Sequence, residues 1–317
     1  MAKAFASAAD LEEKTVTFAE LSPGVFAYTA EGDPNSGVIV GDDGVMVADT
    51  QATPVMAQDV IRRVREVTDK PFHHVLLTHY HAVRVLGASA YGAPNVIASR
   101  NTMEMVQERG QQDYDSEAGR FPRLFQSVES IPGLTWPTMG FDDRLTLYMG
   151  RDRVVEIMHL GKGHTQGDTV AWLPKEKVLF AGDLVEFGAT PYCGDAHLTD
   201  WPATLEKLKE LGPEKLVPGR GDALTTKGDC LEAIESTKGY VTALFQTVKA
   251  CADRGLSLKD TWDHTYPELE KRYHNWVIFE HCMPFNVARA YDEAKGHVRP
   301  QIWTAERDQQ MWATLND

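Results

Sequence analysis

Between residues 15 and 50, short β-rich runs at 15–18, 25–29, 37–40 and 45–48 are broken by turn residues, the last two runs joined across Gly41-Asp42-Asp43-Gly44. Side chains alternate faces along a strand, so these runs predict a meander. The period then changes: Val60, Ile61, Val64 and Val67 fall on one face of a helix over 55–67, and 72–78 reads as a short apolar strand. A strand at 95–99, a polar helix at about 102–117 and a crossing rich in proline and glycine (Pro122, Pro132, Gly133, Pro137) complete this stretch.

The plan then repeats. Strands are expected at 144–148, 154–159, 169–173 and 178–181, followed by a helix at 201–211 and a strand at 215–218. Asp200, ahead of Trp201-Pro202, reads as a helix N-cap with proline in the first turn. Strand runs followed by strand–helix alternation, twice over, predict an α/β fold of two packed sheets with helices on the outer faces. Beyond residue 226 the pattern is helical to the end, with Leu231, Ile234, Tyr240, Val241, Leu244, Phe245 and Val248 at core-like spacing. The expected organisation is a domain over 1–225 and a helical extension over 226–317 that covers the core or the pocket.

Composition narrows the function classes. With 43% apolar and 25% charged residues in 317, the chain reads as an ordinary soluble globular protein. Forty-six acidic against 32 basic residues give a net charge of -14, which repels nucleic acid and anionic membranes. No apolar run approaches the roughly 20 residues needed to span a bilayer, and no signal-peptide core precedes Glu12 and Glu13. A cytoplasmic location is therefore expected. Cys193, Cys230, Cys251 and Cys282 show no paired spacing, which predicts buried thiols rather than a zinc knuckle or a disulfide framework.

Candidate chemistry begins at Thr78-His79-Tyr80-His81, where histidines two apart would leave the same face of an extended backbone and could share an ion. In Gly161-Lys162-Gly163-His164-Thr165-Gln166-Gly167-Asp168 the glycines allow a tight turn that aims His164 into a cleft. Phe180-Ala181-Gly182-Asp183 ends an apolar strand with a carboxylate, which when buried wants a cation.

In order and context, these three motifs resemble the metallo-β-lactamase superfamily over about residues 15–225. The resemblance implies a four-layer αββα sandwich and a metal centre whose first motif runs His-x-His-x-Asp-His. His79, His81 and His164 match its first metal site, and Asp183 matches the carboxylate that bridges two metals. The Asp-His of the second site falls on Val83 and Arg84, and the family's last histidine falls on Arg220. Valine cannot ligate and arginine stays protonated, so one ion is expected, with zinc suited to the remaining donors. A single zinc lowers the pKa of bound water to about 7. The implied function is a mononuclear metal-dependent hydrolase that uses a metal-bound hydroxide on a small organic substrate.

Arg84 and Arg220 either hold an anionic group of that substrate or fill the abandoned site by pairing with acidic neighbours. Asp49 matches a family position that orients a metal-binding histidine, with a turn cap as its simpler role. Asp168 is similar to the last residue of a Gly-His-Thr-x-Gly-Asp variant and serves as a support for the ligands or as a proton acceptor. The loop 187–197, with Tyr192 and His197, is expected to line the pocket. Asn286-Val287-Ala288-Arg289-Ala290-Tyr291 is similar to the closing helix of a bacterial subgroup, where core packing or a homodimer is expected; Trp276, Phe279 or His281 could cap the substrate cavity. Two other readings stand beside hydrolysis: a non-haem iron dioxygenase of the persulfide type, and a non-catalytic member that only binds.

Overall fold

The computed structural model describes residues 7–316. In the first half, β1 (Val16–Ser22), β2 (Val25–Ala30), β3 (Ser36–Val40) and β4 (Val45–Ala48) pair antiparallel in chain order. Helix α1 (Pro54–Val67), whose Thr53 side chain accepts a hydrogen bond from Met56 N, then crosses to β5 (Phe72–Leu76). A single turn, α2 (Ala82–Val85), leads to β6 (Asn95–Ser99), the long α3 (Arg100–Arg120) and a three-residue edge strand, β7 (Met139–Phe141). Strands β4 to β7 are parallel, so this sheet of seven is antiparallel at one side and parallel at the other.

The second sheet has five strands: β8 (Arg144–Tyr148), β9 (Val154–Met158), β10 (Val170–Leu173) and β11 (Val178–Gly182) form a meander. After α4 (Trp201–Glu210), β12 (Lys215–Pro218) adds parallel to β11. The chain ends in α5 (Lys227–Asp253), α6 (Leu258–Tyr273), α7 (Phe279–Ala294) and α8 (Ala305–Asn316).

Three apolar layers hold these elements in four-layer order. Ile39, Met46, Leu76 and Ile97 of the first sheet meet Ile157, Leu173, Phe180 and Val217 of the second. Gly37 permits that approach, since a Cβ there would overlap the Phe180 ring. Val60 and Val64 of α1 cover the far face of the first sheet. On the other side, Leu205 of α4, Ile234 and Val241 of α5, and Met283 and Val287 of α7 share one core with Leu179 and Leu216. The C-terminal helices are thus packed into the second sheet's outer layer. Among the described residues, no helix is long and apolar enough to cross a membrane, and all four cysteines are buried and free.

Two local expectations are corrected. The strand expected over 72–78 stops at Leu76 because Asp49 takes both Thr78 N and Thr78 Oγ1, so His79 and His81 sit in a loop rather than on a strand face. Asp200 occupies the N-cap position of α4, but its backbone is already helical (φ -88°, ψ -33°) and its side chain caps nothing. The turn starts earlier, at His197 O, which accepts from Asp200 N and Trp201 N. The short strand β7 escaped the sequence reading because Met139-Gly140-Phe141 is too brief to show a period.

Candidate metal centre

The chemistry-bearing residues lie just past strand ends on one edge of the sandwich: Asp49 after β4, His79 and His81 after β5, His164 between β9 and β10, Asp183 after β11 and Arg220 after β12. All are buried. One potential ligand atom each from His79, His81 and His164 lies within 4.8 Å of the others.

The outer nitrogen of each imidazole meets an acceptor, which decides its tautomer. Thr78 Oγ1 donates to Asp49 Oδ2 (2.8 Å) and so is left to accept from His79 Nδ1 at 3.0 Å. His81 Nε2 faces Asp195 Oδ2 at 3.3 Å, and His164 Nδ1 faces Tyr192 O at 2.8 Å. Inward nitrogens remain: His79 Nε2, His81 Nδ1 and His164 Nε2, the last two 2.9 Å apart. Among the described residues, the buried His79 Nε2 has no hydrogen-bond partner. Three nitrogens converging on one point, one of them an orphan, suit a metal ion with nitrogen ligands.

Electrostatics around the rings differ. Burial holds His79 well below the usual imidazole range and His164 down at about 3, so both rings are neutral and able to ligate. Burial acts the same way on His81, but Asp113, the Asp195 hydrogen bond and Glu117 outweigh it and push this ring up to about 9. Those carboxylates share the negative charge beneath the centre, burial and then Glu117 pushing the Asp113 carboxyl well above the usual range. Asp113 and Glu117 of α3 also accept from Ala82 N and Val83 N, capping α2.

Asp183 borders the histidines, with Oδ2 at 3.7 Å from His79 Nε2 and 3.6 Å from His164 Nε2. Its other neighbours are guanidinium groups. Arg84 Nη2 pairs with Oδ1, and Arg220 Nη1 lies 3.2 Å from Oδ2. Burial would raise this carboxyl, yet Arg84, His79, Arg220 and His164 together hold it well below the usual range. Arg84 is further fixed by Asn35 O (3.1 Å) and Gly219 O (2.7 Å). Gly219 must be glycine here, because a Cβ would overlap Asp183 Oδ1 and lie 2.9 Å from Arg84 Nη2. Arg220 also pairs with Glu186 Oε1 at 3.3 Å, and its N–H donates to the same carboxylate. Burial and the nearby Asp183 push Glu186 up to about 8. Arginine and its counter-charges therefore occupy the volume beside Asp183.

The other candidate residues separate clearly. Asp49, in a left-handed conformation (φ 59°) that aspartate tolerates, reaches His79 through Thr78. Asp168 accepts from Thr165 N and Thr165 Oγ1 and braces the loop that carries His164; burial pushes it up to about 7. Tyr192 presents its carbonyl to His164 and its ring to the cavity. His197 donates its backbone N–H to Gly163 O at 2.8 Å and is not among the cavity's lining residues. Neither are Trp276 and Phe279: of the residues expected to cap the cavity only His281 lines it, joined by Ile278 and Cys282. That cavity measures about 10 Å³, room for about one water. Arg220 and Arg120 line it, whereas Arg84 faces a separate gap with Asn35 and Asp49.

Thr78, Asp195, Glu186, Arg109 and Arg120 went unrecognised in the sequence. Asp195 had a signal, as a carboxylate inside the flagged 187–197 loop. It accepts from Tyr80 Oη (2.9 Å) and Arg109 Nη1 (2.8 Å) while facing His81.

Comparison with known proteins agrees with this geometry. The family model described as "Metallo-beta-lactamase superfamily" matches residues 29–220. A metallo-beta-lactamase type 2 of Bacteroides fragilis is 27% identical over 246 residues, covering 73% of this chain and 88% of its own length. The Bacillus cereus enzyme of the same name is 25% identical over 225 residues, covering 67% and 78%. Among solved structures, a metallo-beta-lactamase from Pontibacter korlensis superposes with a TM-score of 0.57 at 19% identity, over 72% of this chain and 99% of that one. A stereoselective inverting sec-alkylsulfatase from Pseudomonas sp. superposes with a TM-score of 0.70 at 17% identity, over 88% of this chain and 50% of that one, a coverage that reaches into the C-terminal helices. With over half of its length matched by the family model and the two-sheet sandwich in place, the chain belongs to the metallo-β-lactamase superfamily.

Proposed function

We propose that the chain is a single-metal hydrolase of small organic substrates, with zinc as the ion and His79, His81 and His164 as its holders. One observation carries this reading: three imidazoles whose outer nitrogens all meet acceptors turn their inner nitrogens to one point, beside a carboxylate that two arginines already neutralise. Bound there, zinc supplies Lewis-acid activation of water near neutral pH. The relatives named for β-lactamase and sec-alkylsulfatase activity support hydrolysis as the reaction type.

The chain's own groups set the rest. Asp183, kept ionised by its arginines, is a weak proton acceptor; its role in this reading is to orient groups at the centre with Oδ2 and to balance charge. Asp168 is turned into the His164 loop and supports it. Arg84 is held through both Nη groups by Asp183 and two carbonyl oxygens and stands as the filler of the lost second site. Arg220 lines the cavity and is the residue placed to meet an anionic substrate group.

Protein purified without added metal, assayed for metal content and against an ester, lactone, thioester and sulfate-ester panel, tests this reading. One zinc per chain with hydrolysis is the expected result. Iron with oxygen consumption would overturn hydrolysis, and metal without turnover on any member would favour a binding role. On matched anionic and neutral esters, Arg220→Ala should lose activity on the anionic one selectively, while Arg84→Ala should affect both alike.

A further inference from the structure

Tyr192 O and Asp195, which set the tautomers of His164 and His81, both lie in the irregular segment 190–198 between β11 and α4. Such a loop has no ladder of its own, and its polar groups must find partners elsewhere. Here the C-terminal helical region supplies them. Asn286 of α7 spans the loop: Nδ2 donates to Pro191 O at 2.8 Å and Oδ1 accepts from Cys193 N at 2.7 Å. Trp303 Nε1 donates to Gly194 O at 2.9 Å, and Arg289 Nε donates to Ala196 O at 2.7 Å. The Glu293 carboxylate accepts from Leu198 N (3.0 Å) and Thr199 N (2.9 Å) and pairs with Arg289. Arg109 joins Asp195 Oδ1 to Pro300 O at 3.2 Å.

Packing alone does not call for this pattern. Asn286 and Arg289 are fully buried polar side chains that could be apolar if α7 only filled space. Asn286 instead takes the peptide units on both sides of Tyr192, with a further Nδ2 bond to Tyr240 Oη, and Arg289 Nε takes Ala196 O, just past Asp195, while its remaining nitrogens reach Glu293, His297 O and Val298 O. The loop's Tyr192 O is left for His164 Nδ1, and the Asp195 carboxylate is divided among Tyr80, Arg109 and His81.

We propose that α7 is a positioning element of the metal centre: Asn286 and Arg289 hold the 190–198 loop so that Tyr192 O and Asp195 keep His164 and His81 turned with their free nitrogens inward. This rests on the single-metal reading above. It assigns Asn286-Val287-Ala288-Arg289 to ligand orientation, where the sequence suggested core or dimer packing. Loss of a hydrogen bond that orients a metal-binding histidine commonly weakens metal binding 10–100-fold.

The experiment uses the full chain and reads zinc affinity by competition with a chromogenic chelator and the visible absorption of the cobalt(II)-substituted protein. The variants are Asp195→Asn, Asn286→Ala and Arg289→Lys. The last keeps the charge beside Glu293 but loses the Nε–H to Ala196 O, so it stays informative if Asn286→Ala fails to fold. Val64→Ala, in the separate core under α1, supplies a matched loss of stability. Asp195→Asn, and Asn286→Ala or Arg289→Lys, should each weaken zinc binding by roughly 10–100-fold and shift the cobalt spectrum, while Val64→Ala lowers the melting temperature and leaves affinity and spectrum unchanged. Parental affinity and spectrum in the α7 variants, or an equal loss in Val64→Ala, would overturn the inference alone. A parent chain that takes up neither zinc nor cobalt would overturn the metal reading itself.

Discussion

The histidine side and the arginine side of the centre follow opposite electrostatic plans. On the histidine side each ring has its outer nitrogen engaged and its inner nitrogen turned to a shared point, and His79 Nε2 has no hydrogen-bond partner among the described residues. On the arginine side charges are matched within the fold: Asp183 lies between Arg84 and Arg220, Arg84 reaches two backbone carbonyls, and Arg220 reaches Glu186. The first arrangement is incomplete without a cation. In the second, the carboxylates are already paired with guanidinium groups, which repel a further cation. Where the family resemblance would put a second metal, the chain holds a buried ion-pair network, beside three histidines whose nitrogens converge.

The contrast can be broken from either side. His164→Ala should have the largest effect: metal content, read by elemental analysis, falls from one ion per chain to none, because removing this ring leaves only two of the three converging nitrogens. Retention of a full equivalent would dissolve the histidine side as a site. Val83→Asp combined with Arg84→His and Arg220→His restores the family's ligand types at the matching positions and should raise metal content to two; a triple variant that still binds one would show that the arginine side is more than a replaced metal site. Arg84→Met leaves Asp183 short of a counter-charge, takes the guanidinium donor from Asn35 O, and leaves Gly219 O with Asn35 N alone. Breaking a buried pair in this way costs about 3–5 kcal/mol, measurable by denaturant unfolding.

Asp168 gives an effect confined to a pH window. Burial holds its folded-state pKa at about 7, above the ordinary 3.8, so the folded chain keeps a proton that the unfolded chain releases between those values. The stability it contributes is present at low pH and lost as pH rises from about 4 to about 7. Relative to Asp168→Asn, the parent should become less stable across that window; parallel pH–stability curves would show that Asp168 is ionised throughout.

The sandwich was legible because strand and helix periods are strong in Val- and Ile-rich segments such as 45–48 and 55–67, and both survived folding with little change at their ends. The three histidines and Asp183 were legible through their motifs. Their supports were not. Thr78 looked like a strand residue, and its role depends on Asp49, 29 positions earlier. Asp195 reads as an ordinary loop acid until Arg109, from 86 residues away, and Tyr80 are brought to it. Asn286 and Arg289 looked like helix packing, because hydrogen bonds to a distant loop leave no period in the sequence. The roles of Arg84 and Arg220 parted only when the cavity wall was seen to include one and not the other.

The hold of α7 on the 190–198 loop also has a temporal side. A ribosome delivers His79, His81 and His164 well before Asn286, Arg289 and Trp303, and a nascent chain folds as it emerges. Until α7 is out, the 190–198 loop lacks its Asn286 and Arg289 partners, so on the proposal above a chain cut short of α7 would carry the three histidines yet hold two of them loosely. On the reading proposed above, the order in which the elements emerge then sets when the histidines can hold an ion.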